Sequence, residues 1–221
     1  MIPLYDDIKS RHRPYINYCL IGACALVWAL QFTSSPENFE WQIKQFGMVP
    51  VKIIRGENLW TIFSSMFMHG GWFHFLGNML YLWIFGDNVE DAFGHFLYLL
   101  VYIISGITGN FLQVLVAPNS HIPTIGASGA ISGIMGAYFV LYPRARVLTL
   151  VPFFFFIRLI YLPASILLGF WILFQILYGC SSSPGTGGGI AYFAHIGGFI
   201  CGVLFALLIR KKVRRPWYEI Y

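Results

Sequence analysis

A chain of 221 residues that is 57% hydrophobic and 10% charged cannot clothe a soluble globule, whose charged share is about 25%. Its net charge of +5 comes from basic residues placed between apolar runs, where they orient a membrane protein, so nucleic acid is not expected as a partner. The four cysteines, Cys19, Cys24, Cys180 and Cys201, form no CxxC pair, which argues against a zinc or redox centre.

Residues 1–14 are polar and basic, with Lys9, Arg11 and Arg13, and read as a cytoplasmic tail. The segment does not resemble a cleaved signal, since it opens polar and the first apolar run is long enough to span. That first span is predicted over 15–32. Residues 33–60 form a long connection punctuated by Phe39, Trp41, Phe46 and Trp60, a composition suited to the membrane interface. The second span is predicted over 73–85, followed by an acidic turn at 86–95, GDNVEDAFGH. The third span covers 96–116. After a loop with Pro118 and Pro123, the fourth covers 128–141.

Pro152, Arg158 and Pro163 interrupt the next apolar stretch. Residues 149–160 are therefore predicted as interface chain and 161–178 as the fifth span. The segment 180–189, CSSSPGTGGG, reads as a flexible linker, and 190–209 as the sixth span. The fold expected is an all-α membrane protein: a six-transmembrane-helix bundle over 15–210, with a basic tail over 211–221. Eleven of the fourteen Lys and Arg residues fall in the N-terminal tail, the 144–158 stretch and the C-terminal tail. The positive-inside rule then places both termini in the cytoplasm. Short tails favour a plasma (inner) membrane location.

Polar groups in hydrocarbon are costly and invite a functional reading. Three clusters stand out: His69 through Asn78 before and within the second span, Gly126-Ala127-Ser128-Gly129 at the start of the fourth, and Ala194-His195-Ile196-Gly197-Gly198 early in the sixth. The predicted topology puts all three at the outer ends of their spans, where they can converge. Ser128 begins a helix, whose free N–H groups favour a developing oxyanion. Gly126 and Gly129 permit close backbone approach. His195 is the base that a serine hydroxyl requires, and Gly198 and Gly202 form a GxxxG face able to meet the small residues Gly129, Ser132, Gly133 and Gly136. No Asp or Glu lies in either span, so a Ser-His dyad is expected. The sequence names no group to orient the imidazole. His74 and Asn78 share a helical face and can donate toward an oxyanion with the Ser128 N–H. His69 is expected to support them. A metal site is disfavoured, for there is no HExxH and no carboxylate among these histidines. His95 and His121 read as solvated loop residues and His12 as part of the tail.

HGGWFHFLGN, GASG and AHIGG, in this order, resemble the rhomboid intramembrane serine proteases over about residues 15–210. The resemblance implies Ser128 as nucleophile, His195 as general base and His74 and Asn78 as oxyanion-stabilising positions, with His69 matching the family's preceding histidine. It also implies transmembrane proteins as substrates, a lipid bilayer as surroundings, no cofactor, a water-filled cavity opening outward, and a gate formed by 161–189. Two positions depart from the pattern. Trp60-Thr61 stands where many relatives carry Trp-Arg, and Ser132 stands where many carry an aromatic that stacks on the catalytic histidine. The competing readings are a non-catalytic adaptor for client helices, which presence of both Ser128 and His195 disfavours, and a small transporter, which the apolar inner halves of the spans disfavour.

Overall fold

The computed structural model describes residues 1–153, 156–182 and 189–209. Most of the predicted 180–189 linker and the whole basic C-terminal stretch from 210 onward, including the 211–221 tail, lie outside them.

The described chain is mostly helical. Strand β1 (Ile2–Asp6) precedes α1 (Tyr15–Phe32). The long first connection is helical in pieces: α2 (Pro36–Phe46), α3 (Pro50–Ile54) and α4 (Thr61–Ser64). Ser35 caps α2 by accepting the Asn38 N–H, and Pro36 occupies its first turn, where a missing N–H costs nothing. Next come α5 (Trp72–Phe93), α6 (His95–Val116) and α7 (Ser128–Leu141). Strands β2 (Arg146–Phe153) and β3 (Phe156–Pro163) lead into α8 (Ala164–Ser181), and α9 (Tyr192–Ile209) closes the described fold. Helices α1, α6, α8 and α9 are each long and apolar enough to cross a membrane. The shorter α7 is the most deeply enclosed, with Gly129 through Tyr138 all buried. Around it pack α9, α6 and α5.

The α7–α9 contact is a seam of glycines. A Cβ on Gly198 would overlap the carbonyl oxygen of Gly129, one on Gly202 that of Gly133, and one on Gly136 that of Phe199. The close approach read from the small-residue spacing is therefore present, and side chains would abolish it.

Three expectations need correction. The chain is not all-α: β1, β2 and β3 form an antiparallel sheet in that order. Residues 146–163 are rich in Val, Leu, Ile, Thr and aromatics, which favour strands, while Pro152 and Pro163 cannot donate within a helix. The N-terminal segment supplies the third strand, with Ile2 opposite Leu150 and Asp6 opposite Val147. Second, the acidic turn at 86–95 is absent, because α5 continues to Phe93 and only Gly94, at φ 75°, breaks it. The carboxylates are tolerated there because they have partners. Glu90 accepts the backbone N–H groups of Ile16 and Asn17 at the start of α1, where a carboxylate suits the helix dipole. Third, His95 is not simply a solvated loop residue, since it begins α6 and its Nδ1 bonds Glu90; His12, in the tail as expected, bonds Asp91.

Candidate active site

Three loops must meet before α7 can present Ser128. Met48 and Thr124 exchange backbone hydrogen bonds of 3.0 and 2.8 Å, and Gly126 N–H donates to the Ser65 carbonyl at 2.9 Å. Asn110 of α6 secures the same region by donating to the Ile62 carbonyl and the Ser65 hydroxyl. Thr61, at the position departing from Trp-Arg, is buried and donates to the Asn58 carbonyl at 2.7 Å, and Trp60 packs edge-on against Phe46. Those contacts order the loop locally. The chain then enters α7 through Gly126, whose φ of +127° disfavours other residues.

Ser128 is the first residue of α7, so its N–H has no partner one turn back. Its Oγ lies 2.8 Å from His195 Nε2. His195 stands in the first turn of α9 and is 9% exposed. The two side chains line a cavity of about 1110 Å³ with His74, Asn78, Trp171 and Ser132.

His74 and Asn78 sit one turn apart on α5. His74 Nδ1 accepts the Gly70 N–H at 3.3 Å, which leaves Nε2 to carry the ring proton. An ideal Cβ on Gly126 would stand 2.6 Å from that Nε2 and 3.4 Å from Ser128 Oγ, so the two atoms are no more than about 6 Å apart. Any side chain at Gly126 would wedge between them. Asn78 is buried, and its Nδ2 has no partner among the described residues. A buried donor left open beside a cavity is costly unless something arrives to accept from it. His69 is placed differently. It is fully buried behind His74, edge-on to that ring at 5.2 Å and to Phe75 at 5.3 Å, while its backbone exchanges hydrogen bonds with Gln31. It braces the His74 ring and does not line the cavity.

Gly129 and Gly198 do their work in the seam, which lets α9 bring His195 beside Ser128. Ser132 donates to the Ser128 carbonyl at 2.6 Å and makes no stack on the histidine. The aromatic comes from α8: the Trp171 ring lies 5.7 Å from that of His195 at 35°. One turn on, Gln175 Oε1 is 2.8 Å from His195 Nδ1. Both residues escape a motif-based reading. Gln175 had a legible signal, as the one side-chain amide in an otherwise strongly apolar helix. Chemically, the arrangement sets a hydroxyl beside a base, with three donors in reach of one cavity: the Ser128 N–H, His74 Nε2 and Asn78 Nδ2.

Residues 56–212 match the family model described as Rhomboid domain. The chain is similar to Rhomboid protein 1, mitochondrial, of Saccharomyces cerevisiae, at 29% identity over 97% of this chain and 58% of the relative. RHOMBOID-like protein 4 of Arabidopsis thaliana is 34% identical over 74% of this chain and 38% of its own length. Rhomboid protease GluP of Bacillus subtilis is 32% identical over 57% of this chain and 24% of its own length. The chain thus spans less than two thirds of each of these relatives.

Proposed function

Given that the chain belongs to the rhomboid family, we propose that it is an intramembrane serine endopeptidase with Ser128 as nucleophile and His195 as general base. The observation that carries this reading is the 2.8 Å approach of His195 Nε2 to Ser128 Oγ inside a cavity at the start of α7. In the proposed reaction Nε2 takes the hydroxyl proton as Oγ attacks the carbonyl carbon of the scissile peptide bond. The oxygen becomes an oxyanion held by the Ser128 N–H, His74 Nε2–H and Asn78 Nδ2–H. His195 then returns the proton to the departing amine. Water, deprotonated by the same imidazole, attacks the acyl-serine, and Oγ regains its proton. Preorganised donors of this kind are usually the largest single contribution to such a rate.

The six helices α1, α5, α6, α7, α8 and α9 are proposed to cross the membrane, with 15–210 as one domain between the two tails. Pairing of β1 with β2 puts residues 2–6 beside 147–150. That supports a common side for the N-terminus and the 144–163 stretch, and the basic residues there mark it as cytoplasmic. Ser128, at the opposite end of α7, then faces outward. Substrates are proposed to be transmembrane segments of other proteins, cleaved near their outer ends where helix-weakening residues expose the peptide bond. The exposed apolar residues of β3, Phe156, Ile157, Leu159 and Tyr161, are proposed to lie in the inner membrane interface. The plasma membrane is the proposed location, a reading from the sequence that cell fractionation tests.

The deciding experiment mixes purified protein in detergent with a labelled single-span substrate. Ser128→Ala and His195→Ala should leave only background cleavage. Cleavage by Ser128→Ala equal to wild type would sink the proposal.

A further inference from the structure

An unbonded amide in an apolar helix is expensive. Gln175 places an amide on α8 that is not left open, for its Oε1 meets His195 Nδ1 at 2.8 Å. Trp171, four residues earlier on the same helical face, lies against the ring of the same histidine. One helix therefore holds the imidazole at both an edge and a face, and it is a different helix from those that carry Ser128 and His195.

The bond also carries chemical information. A carbonyl oxygen only accepts, so Nδ1 must hold the ring hydrogen. The other nitrogen, Nε2, is then a bare lone pair, and it is the atom that faces Ser128 Oγ. In the other tautomer Nε2 would carry a hydrogen toward the hydroxyl and could take no proton from it. We propose that Gln175 is a positioning residue that selects the reactive tautomer of His195 and makes alignment of the base depend on α8 being docked against α9. This rests on the reading of Ser128 and His195 as a catalytic pair and extends it to a third, uncharged member on a third helix. It also accounts for Ser132: with Trp171 supplying the aromatic face from α8, α7 needs none.

The test compares Gln175→Leu, Gln175→Glu and Ser128→Ala in one assay, with kcat, KM and the pH profile of kcat for each. Gln175→Leu should lower kcat on the order of 10- to 100-fold, since a neutral orienter is worth less than the charged one of a triad, with KM little changed. Gln175→Glu restores an acceptor and adds a negative charge beside the imidazole, which favours its protonated form. Part of kcat should return, and the acid limb of the profile should move to higher pH. A purely structural role would not move that limb. Wild-type kcat in Gln175→Leu, or an unmoved limb in Gln175→Glu, would overturn the proposal. Nitrogen-15 NMR of labelled histidine reads the tautomer without turnover: His195 should be Nδ1–H in the wild type and mixed in Gln175→Leu. Identical tautomers in the two would also overturn it. Undiminished cleavage by Ser128→Ala would instead sink the protease reading, while the NMR result would still judge Gln175.

Discussion

Ser128 and Tyr138 stand toward opposite ends of helix α7, about 15 Å apart by helical rise, and the two ends treat polar groups in opposite ways. At the sheet end, polar side chains are spent on one another. Tyr138 and Asn88 both donate to Asp6, Tyr98 donates to Asn17, and Glu90 holds the start of α1 while bonding His95. At the cavity end, donors are left in reserve. Among the described residues, Asn78 Nδ2 has no partner and His74 bonds through Nδ1 alone. The first arrangement locks β1, α1, α5, α6 and α7 together. The second leaves hydrogen-bonding capacity open toward the cavity, where the proposed reaction would use it. On the proposed reading, a fold that holds a reactive site in an apolar bundle places its stability at one end and its function at the other.

Four substitutions probe that division. The largest effect is expected at the seam that both ends depend on. Gly198→Val places a branched side chain where even a Cβ overlaps the Gly129 carbonyl. Overpacking against backbone costs roughly 3 kcal/mol or more, and folded yield in detergent should collapse. Gly22→Val, with nothing within 4 Å of its Cβ position, should fold as wild type. Next comes Asn78→Ala, which should lower kcat by roughly 10²–10³ with the melting temperature unchanged or raised, because no existing bond is lost. If stability fell and rate did not, the cavity end would be structural after all. Asn17→Ala should do the reverse. It removes a fully buried residue that donates to the Leu82 carbonyl and accepts from Tyr98, and strands both partners at about 1–3 kcal/mol. Activity per folded molecule should persist in a melt-corrected assay.

The contrast was only half legible in the sequence. The bounds of α1 and α7 follow from apolar length and flanking polarity, and the seam follows from glycine spacing. Ser128, His195, His74 and Asn78 surface because polar groups in apolar runs are conspicuous, and the structure gathers all four on one cavity. The sheet end was hidden. Residues 2–6 pair with residues some 140 positions away, and no local pattern announces so distant a partner. Asp87, Glu90 and Asp91 read as a turn because their partners, Ser10, the start of α1 and His12, lie on another segment. The roles of Trp171 and Gln175 are hidden for the same reason. Their meaning lies in His195, and α8 read by itself is merely a span with one amide.

The finest test concerns pH. Burial, with smaller contributions from the neighbouring carboxylates Asp87 and Asp7, pushes the Asp6 carboxyl from its ordinary 3.8 up to about 7, against the opposing pull of the Tyr138 hydroxyl. The folded state therefore binds this proton more tightly than the unfolded chain does. The resulting stabilisation is complete below about pH 4 and is lost as pH rises through about 7. Asp6→Asn keeps an acceptor for Tyr138 and Asn88 but cannot ionise. Thermal melts of the wild type should thus decline between pH 5 and pH 8, and those of Asp6→Asn should decline less, by on the order of 1 kcal/mol. Parallel curves would mean that Asp6 keeps its proton or its charge throughout this range. The proton-linked part of the sheet end would then lie elsewhere, with Asp87 next in line because it faces the same cluster. The cavity end supplies the control. Asn78 and Gln175 do not titrate, so Asn78→Ala should leave the shape of the stability–pH curve unchanged, and a changed slope there would join the two ends of α7 in a single ionisation.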